Sequence, residues 1–267
     1  MAAALVLAAA SACAESGPST ACRFEAAGAG KVRAVIDGRS FTLDDGREIR
    51  LAGIEVPPPP RPGESGAAVE AGAAARAALA SILDGLDREV EVHQFASAAD
   101  RYGRMLAFAY VARDGARQSI VHEMLGRGFA RVSARVGERA CADELLARER
   151  MARQARLGLW REPYYAILGA ESAAGLTAGR GQFTVVEGRV LSVRESGGTI
   201  YVNFGRRWSQ ALTVTIAKRH ERAFAVAGRA PKGLENRRVR VRGWIEEHNG
   251  PRIEVAHPEQ IEIAERN

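Results

Sequence analysis

Short runs in which apolar residues alternate with polar ones cover 31–36, 39–43 and 47–54, the two-residue period of half-buried strands. Asp44-Asp45-Gly46 supplies a turn between the second and third runs. A proline-rich stretch at 57–62 then ends regular pairing, because proline has no N–H to give to a ladder. Residues 67–83 are rich in alanine and stop near Gly85, which predicts a helix. Two further strands follow at 89–95 and 105–112, with a turn at Arg113-Asp114-Gly115. A short helix is predicted over 119–125 and a longer one over 141–156, stopped at Gly158. Three strands, a helix, two strands and a helix is the order of a small five-stranded barrel of the OB type.

Alanine and glycine dominate 161–181, which reads as a linker. Beyond it strands prevail, at 183–193, 199–204, 212–216, 238–246 and 252–255, with one helix-sized piece at 220–226. Ser196-Gly197-Gly198 and Asn249-Gly250-Pro251 are turn signals. The expected fold is therefore α+β and mainly β. An OB barrel with helices over 23–160 is joined through 161–181 to a smaller OB-like barrel over 182–267.

Composition narrows the class. The 267 residues are 46% hydrophobic and 26% charged, which excludes wholesale disorder, collagen and coiled coil. No apolar run reaches the ~18–20 residues of a membrane-spanning helix. The net charge of +6 is unevenly placed: 180–267 hold 16 Lys+Arg against 10 Glu and no Asp, so the first two thirds are neutral. A basic last third invites nucleic acid or another polyanion. Its glutamates allow the opposite reading, a sheet face solvated by mixed charge.

Residues 1–14 read MAAALVLAAASACA, an apolar run ending in small residues, as in a secretory signal with an A-x-A cleavage site. Ala10-Ser11-Ala12-Cys13 is also similar to a lipoprotein box, which would make Cys13 the lipidated first residue. Export is expected, either to the periplasm or to a membrane surface through a lipid on Cys13. Cys22 and Cys141 then remain as a candidate disulfide. The alternative leaves Cys141 as a buried thiol on a helix face with Leu145 and Ala152. No C-x-x-C or paired-His spacing points to structural zinc.

Three motifs carry a family resemblance. They are Val35-Ile36-Asp37-Gly38-Arg39-Ser40, then Arg50-Leu51-Ala52-Gly53-Ile54-Glu55-Val56-Pro57, then Asp100-Arg101-Tyr102-Gly103-Arg104-Met105-Leu106-Ala107. In this order and spacing they resemble the thermonuclease, or staphylococcal nuclease-like, family over roughly 31–160. The resemblance implies an OB barrel that hydrolyses nucleic-acid phosphodiesters with one calcium ion. Two aspartates hold the ion, a glutamate activates water, and two arginines meet the phosphate. Such chemistry needs cations where negative charge builds in the transition state, and a base to make water nucleophilic.

Carried over residue by residue, the two arginines are Arg50 and Arg104, and the second metal carboxylate survives as Glu55. The first metal carboxylate is replaced by Arg39, and the base position falls on Pro58, which cannot titrate. Loss of a general base alone costs ~10²–10⁴ in rate. Rescue would need relocated carboxylates such as Glu64 or Glu70. Arg101 and Tyr102 occupy positions similar to a nucleotide-flanking pair.

Two arrangements of the pocket stay open. Arg39 converges with Arg50 and Arg104 on an anion, or Arg39 pairs with Glu55 and closes the pocket. In the basic third, Tyr201, Phe204 and Trp208 stand near Arg206 and Arg207, a composition suited to stacking bases and neutralising phosphates. Alternation places Arg238, Arg240 and Arg242 on one strand face. The expected function is a degenerate nuclease acting as an exported anion-, nucleic-acid- or partner-binding module, with no cofactor. The alternative is a working, calcium-dependent nuclease.

Overall fold

The computed structural model describes residues 22–59, 63–84, 88–96, 99–113, 115–136 and 138–264. The N-terminal signal, Cys13, the helix stop at Gly85 and the turn residue Asp114 lie outside the described residues.

The first half is built on strands β1 (Glu25–Val35), β2 (Ser40–Leu43), β3 (Glu48–Leu51) and β4 (Ile54–Glu55). Helix α1 (Ala67–Leu83) follows, then β5 (Glu89–Gln94), β6 (Met105–Arg113), β7 (Ala116–Ser119), helix α2 (Ile120–Gly126), β8 (Arg131–Val132) and helix α3 (Arg139–Gln154). Sheet order β3-β2-β1-β5-β6 is closed by a parallel pairing of β3 with β6, Arg50 lying beside Leu106, so five strands form a barrel. Closure removes both edges of the sheet, which would otherwise be free to pair elsewhere. Strand β7 extends the sheet beyond β6. Alternate positions fill the interior: Phe41 and Leu43, Ile49 and Leu51, Val90 and Val92 are all buried. Helix α1 adds Leu79, Ile82 and Leu83, and α3 adds Leu145 and Leu146 to the same core. Each such side chain contributes about 1.5–3 kcal/mol when fully withdrawn from water.

Cys22 and Cys141 form a disulfide that ties the arm before β1 to the first turn of α3. The bridge spans a sequence separation of 119 residues.

Residues 161–181 are not the loose linker expected from composition. Two short turns, Gly158–Arg161 and Pro163–Tyr165, lead to β9 (Leu168–Gly169) and helix α4 (Ala173–Ala178). Tyr165, Ala170 and Leu176 are buried, so small residues here serve close packing and not freedom. The last third follows as β10 (Phe183–Arg189), β11 (Ser192–Ser196), β12 (Thr199–Asn203), β13 (Thr213–Ala217), helix α5 (Glu221–Val226), β14 (Arg238–Trp244), β15 (Glu246–Glu247), β16 (Pro251–Glu254) and β17 (Ile261–Ile263). Where a second closed barrel was expected, the ladders among the described residues give two sheets, β17-β14-β10-β9 and β11-β12-β13-β16-β15. The predicted strand 183–193 breaks between Arg189 and Ser192, and its two pieces serve different sheets. Both sheets face one core containing Val186, Val202, Val214, Val241 and Ile253.

The halves are locked by a buried charge network. Arg242 on β14 is fully buried and donates from Nη1 to the carbonyl of Val132 at 3.0 Å and to Glu149 Oε2 at 2.8 Å. Its Nη2 donates to Glu149 Oε1 and to Glu262. Glu149 Oε2 also accepts the Val132 N–H at 2.6 Å. Burial would lower the Arg242 pKa, but Glu149 and Glu262 outweigh it and raise it. Burial likewise works to raise Glu262, and Arg242 overrides it to hold that carboxyl below its ordinary value. A second guanidinium, Arg131, donates to the carbonyls of Phe183 and Tyr164 and lies 4.0 Å from the Tyr165 ring centroid. The expected basic face is therefore largely consumed: Arg242 is interior, and Arg238 and Arg240 both donate to Glu187 at 2.5 Å.

Truncating one member of such a network strands the others without compensation, at a cost of about 3–5 kcal/mol. Arg242→Met should lower the thermal midpoint sharply, whereas Arg238→Gln, on the exposed surface, should move stability by less than about 1 kcal/mol. Calorimetry of both variants checks this. Reducing the disulfide should destabilise the fold by about 5 kcal/mol, the chain-entropy value for a loop of this length. Denaturant titrations with and without a thiol reductant measure it.

Candidate functional site

The site lies where β2, β3, β4 and the loop before β6 meet. Asp37 accepts the Arg39 N–H at 2.8 Å, a local turn that launches β2 with Arg39 at its head. Arg50 sits on β3 opposite Ser40 of β2, at the closure of the barrel. Glu55 sits on β4, paired with Arg131 on β8. Strand β8 is the one gripped by Glu149 and Arg242, so the buried network fixes where Glu55 stands.

Arg39 does not point into open space. Its Nη1 lies 2.6 Å from Glu55 Oε2 and donates to the Ile54 carbonyl at 2.7 Å. Both partners are largely withdrawn from water, with side-chain exposures of 12% and 17%. Arg104 is held in a separate clasp. Asp100 accepts the N–H groups of Tyr102 at 2.9 Å and Arg104 at 3.1 Å, and the Arg104 Nε at 2.9 Å. Burial would raise Asp100, but the hydrogen bonds and charge of Arg104 bring its pKa down to about 2. Burial would lower Arg104, and Asp100 with Glu48 raises it instead.

Arg50 differs from both. Among the described residues its guanidinium makes no hydrogen bond or ion pair. Burial lowers its pKa, and the charges of Arg39 and Arg104 lower it further, against Glu55 and Asp37. A half-buried guanidinium that two other cations crowd is an anion-attracting group. Tyr102 is 65% exposed, with the Arg101 and Arg104 guanidiniums 4.8 and 4.9 Å from its ring centroid. The carried-over residues Arg39, Arg50, Glu55 and Arg104 are thus neighbours, while Arg101 and Tyr102 form an exposed flank.

The donor set does not fit the calcium ion that the fold family implies. Calcium takes six to eight oxygen ligands. Here one carboxylate position is Arg39, and its guanidinium already engages the remaining carboxylate, Glu55. Pro58 offers no carboxylate, and its carbonyl is packed against α1. A Cβ added to Gly72 would come within 2.3 Å of the Pro58 oxygen, so the helix can approach only because Gly72 lacks one. Elsewhere, Cys22, His122 and Glu144 cluster closely enough for a metal, but the Cys22 sulfur is committed to the disulfide.

Asp37 and Asp100, which stand inside the quoted motifs, shape the site without belonging to the carried-over set. The signal for each was an aspartate two residues before the N–H it caps: Arg39 for Asp37, and Tyr102 for Asp100. The low Asp100 pKa has a sign. Its ionised form stabilises the fold fully above the usual carboxylate range, and that contribution fades as pH falls towards about 2. An NMR titration of the side-chain carboxyls should show Asp100 titrating last, and Arg104→Gln should move its midpoint upwards.

Among curated proteins, no significant match to the chain is found. Residues 48–162 match the family model described as staphylococcal nuclease homologue. The matched span runs from β3 past α3 and includes Arg50, Glu55 and Arg104. Together with the closed five-stranded barrel, the match makes this segment of the chain a thermonuclease-like domain of the staphylococcal nuclease type.

Proposed function

We propose that this protein is a catalytically degenerate thermonuclease-like protein, exported from the cytoplasm, that binds nucleic acid without cutting it. One observation carries the reading: the Arg39 guanidinium lies on Glu55, at the place where nuclease chemistry needs two carboxylates and a metal. With a cation in the metal's place and Pro58 at the base position, water is left unactivated. The developing charge on the phosphate lacks its divalent partner. Two losses of this kind slow the reaction by about 10⁴ or more. Arg50 retains the ability to meet a phosphate, because no carboxylate neutralises it directly.

Export rests on two features of the chain. The apolar N-terminus ends in small residues, with Cys13 placed for cleavage or lipidation. The Cys22–Cys141 disulfide suits an oxidising compartment such as the periplasm.

Digestion of single- and double-stranded DNA with calcium present tests the reading. The expected result is no cleavage above background. Calcium-dependent cleavage that Arg50→Ala abolishes would establish a working nuclease instead. Arg39→Asp should remove the blocking cation and place a second carboxylate beside Glu55. Calorimetry should then detect calcium binding in that variant and none in the unaltered protein.

A further inference from the structure

The outer face of the β11-β12-β13-β16 sheet is unlike the rest of the surface. Strand alternation sends Val193, Ile200, Val202, Val214 and Ile253 into the core. The opposite face presents Arg194 beside Tyr201 across the β11–β12 ladder, and Thr213 beside Arg252 across β13–β16. Loops 205–210 and 248–250 stand over this face and complete a groove of about 910 Å³. That volume is at the upper end of ordinary ligand sites, ~300–1,000 Å³.

The groove is built, not incidental. A Cβ on Gly250 would lie 2.3 Å from the Trp208 carbonyl oxygen, so the two loops touch through a glycine at φ +142. Loop 205–210 is closed on itself by N–H groups of Gln210 and Ala211 donating to the Arg207 carbonyl. This seat holds Trp208 with 65% of its surface in water, while its neighbour Phe204, expected among the exposed aromatics, is 1% exposed and part of the core. Arg194 and Arg206 line the groove, and among the described residues neither guanidinium has a hydrogen bond or ion pair. The contrast with Arg238, Arg240 and Arg242, all paired with glutamates, is direct. No carboxylate is among the described groove residues.

We infer that this groove binds single-stranded nucleic acid, with bases stacked on Trp208 and Tyr201 and phosphates met by Arg194 and Arg206, while Arg252 is held by Glu246 at 3.3 Å. The inference rests on the reading that the chain binds nucleic acid without cutting it, and it places the contact outside the thermonuclease-like pocket. Flat rings and phosphates together explain the composition: exposed aromatic faces serve bases, and unpaired guanidiniums serve phosphates. A duplex, with its bases already stacked on each other, offers the aromatics nothing. A sulfated glycan would also use the arginines, so heparin is the competing probe in the test.

The test is fluorescence anisotropy with the full, oxidised chain and a fluorescein-labelled oligothymidylate of about 15 nucleotides, the upper site size of such folds. EDTA is present throughout, so that no metal-dependent cleavage enters. Trp208→Ala should weaken binding about tenfold, and Trp208→Phe should restore most of it. Arg194→Gln with Arg206→Gln should flatten the logarithmic salt dependence by about 1.4, two phosphates' worth for a single strand. Arg238→Gln, which removes one charge outside the groove, should change affinity less than about twofold. Binding that Trp208→Ala leaves intact would overturn the assignment, as would no binding at low salt. Heparin bound in place of the oligonucleotide would overturn it in favour of a glycan. Cleavage in the separate calcium assay would refute the non-catalytic reading and leave these affinities as they are.

Discussion

Everything about the site depends on one buried cation. Arg242 belongs to the last third of the chain, yet its guanidinium is satisfied by Glu149 of α3, the Val132 carbonyl of β8 and Glu262 of β17. Taking four such groups out of water is costly, and only a complete set of partners offsets it. Geometry is therefore held tightly along a chain of contacts. Arg242 and Glu149 hold β8, β8 pairs with β4, and β4 carries the Glu55 that faces Arg39. The thermonuclease-like barrel and the sheets that follow it share this interface, and Arg131 reinforces it with carbonyls from both sides.

The same accounting of charge explains what the first site can do. A nuclease of this type concentrates carboxylates on a metal and arginines on a phosphate. Here Arg50 and Arg104 stand with a third arginine, Arg39, but two of the three are answered locally, Arg39 by Glu55 and Arg104 by Asp100. The charge that would attract a phosphate has been turned inward to stabilise the pocket itself. Arg50 alone among these three retains an unanswered charge, held in place by its position on the closing strand.

In the last third the excess positive charge divides in the opposite way. Arginines on the β10–β14 sheet are neutralised by Glu187, Glu149 and Glu262. At the other sheet Arg252 is paired with Glu246, whereas Arg194 on β11 and Arg206 in the loop after β12 have no side-chain partner among the described residues. A net charge of +6 therefore says little until each guanidinium is assigned a partner. Once that is done, two arginines without a side-chain partner among the described residues, Arg194 and Arg206, stand in a groove beside two aromatic rings.

Much of the fold was legible in the residues because short-range rules govern it. Helix α1 has the predicted bounds, 67–83, since alanine propensity and flanking breakers act locally. The barrel followed from strand order and from motifs whose spacing encloses Arg50, Glu55 and Arg104. Residue identity alone places Arg39 and Pro58 where the resemblance implies a metal carboxylate and a base. Four things were not legible in the residues. The choice between the two open arrangements of Arg39 (settled by its pairing with Glu55), the interior burial of Arg242, the packed state of 161–181 and the grouping of Tyr201, Trp208 and Arg194 all rest on contacts between distant segments. Alternation places Arg242 on a strand face, but it cannot tell a solvated face from one covered by α3, 93 residues away in the chain. Sequence by itself determined which groups the protein owns; only the tertiary structure decided which charges are spent on one another and which stay unpaired.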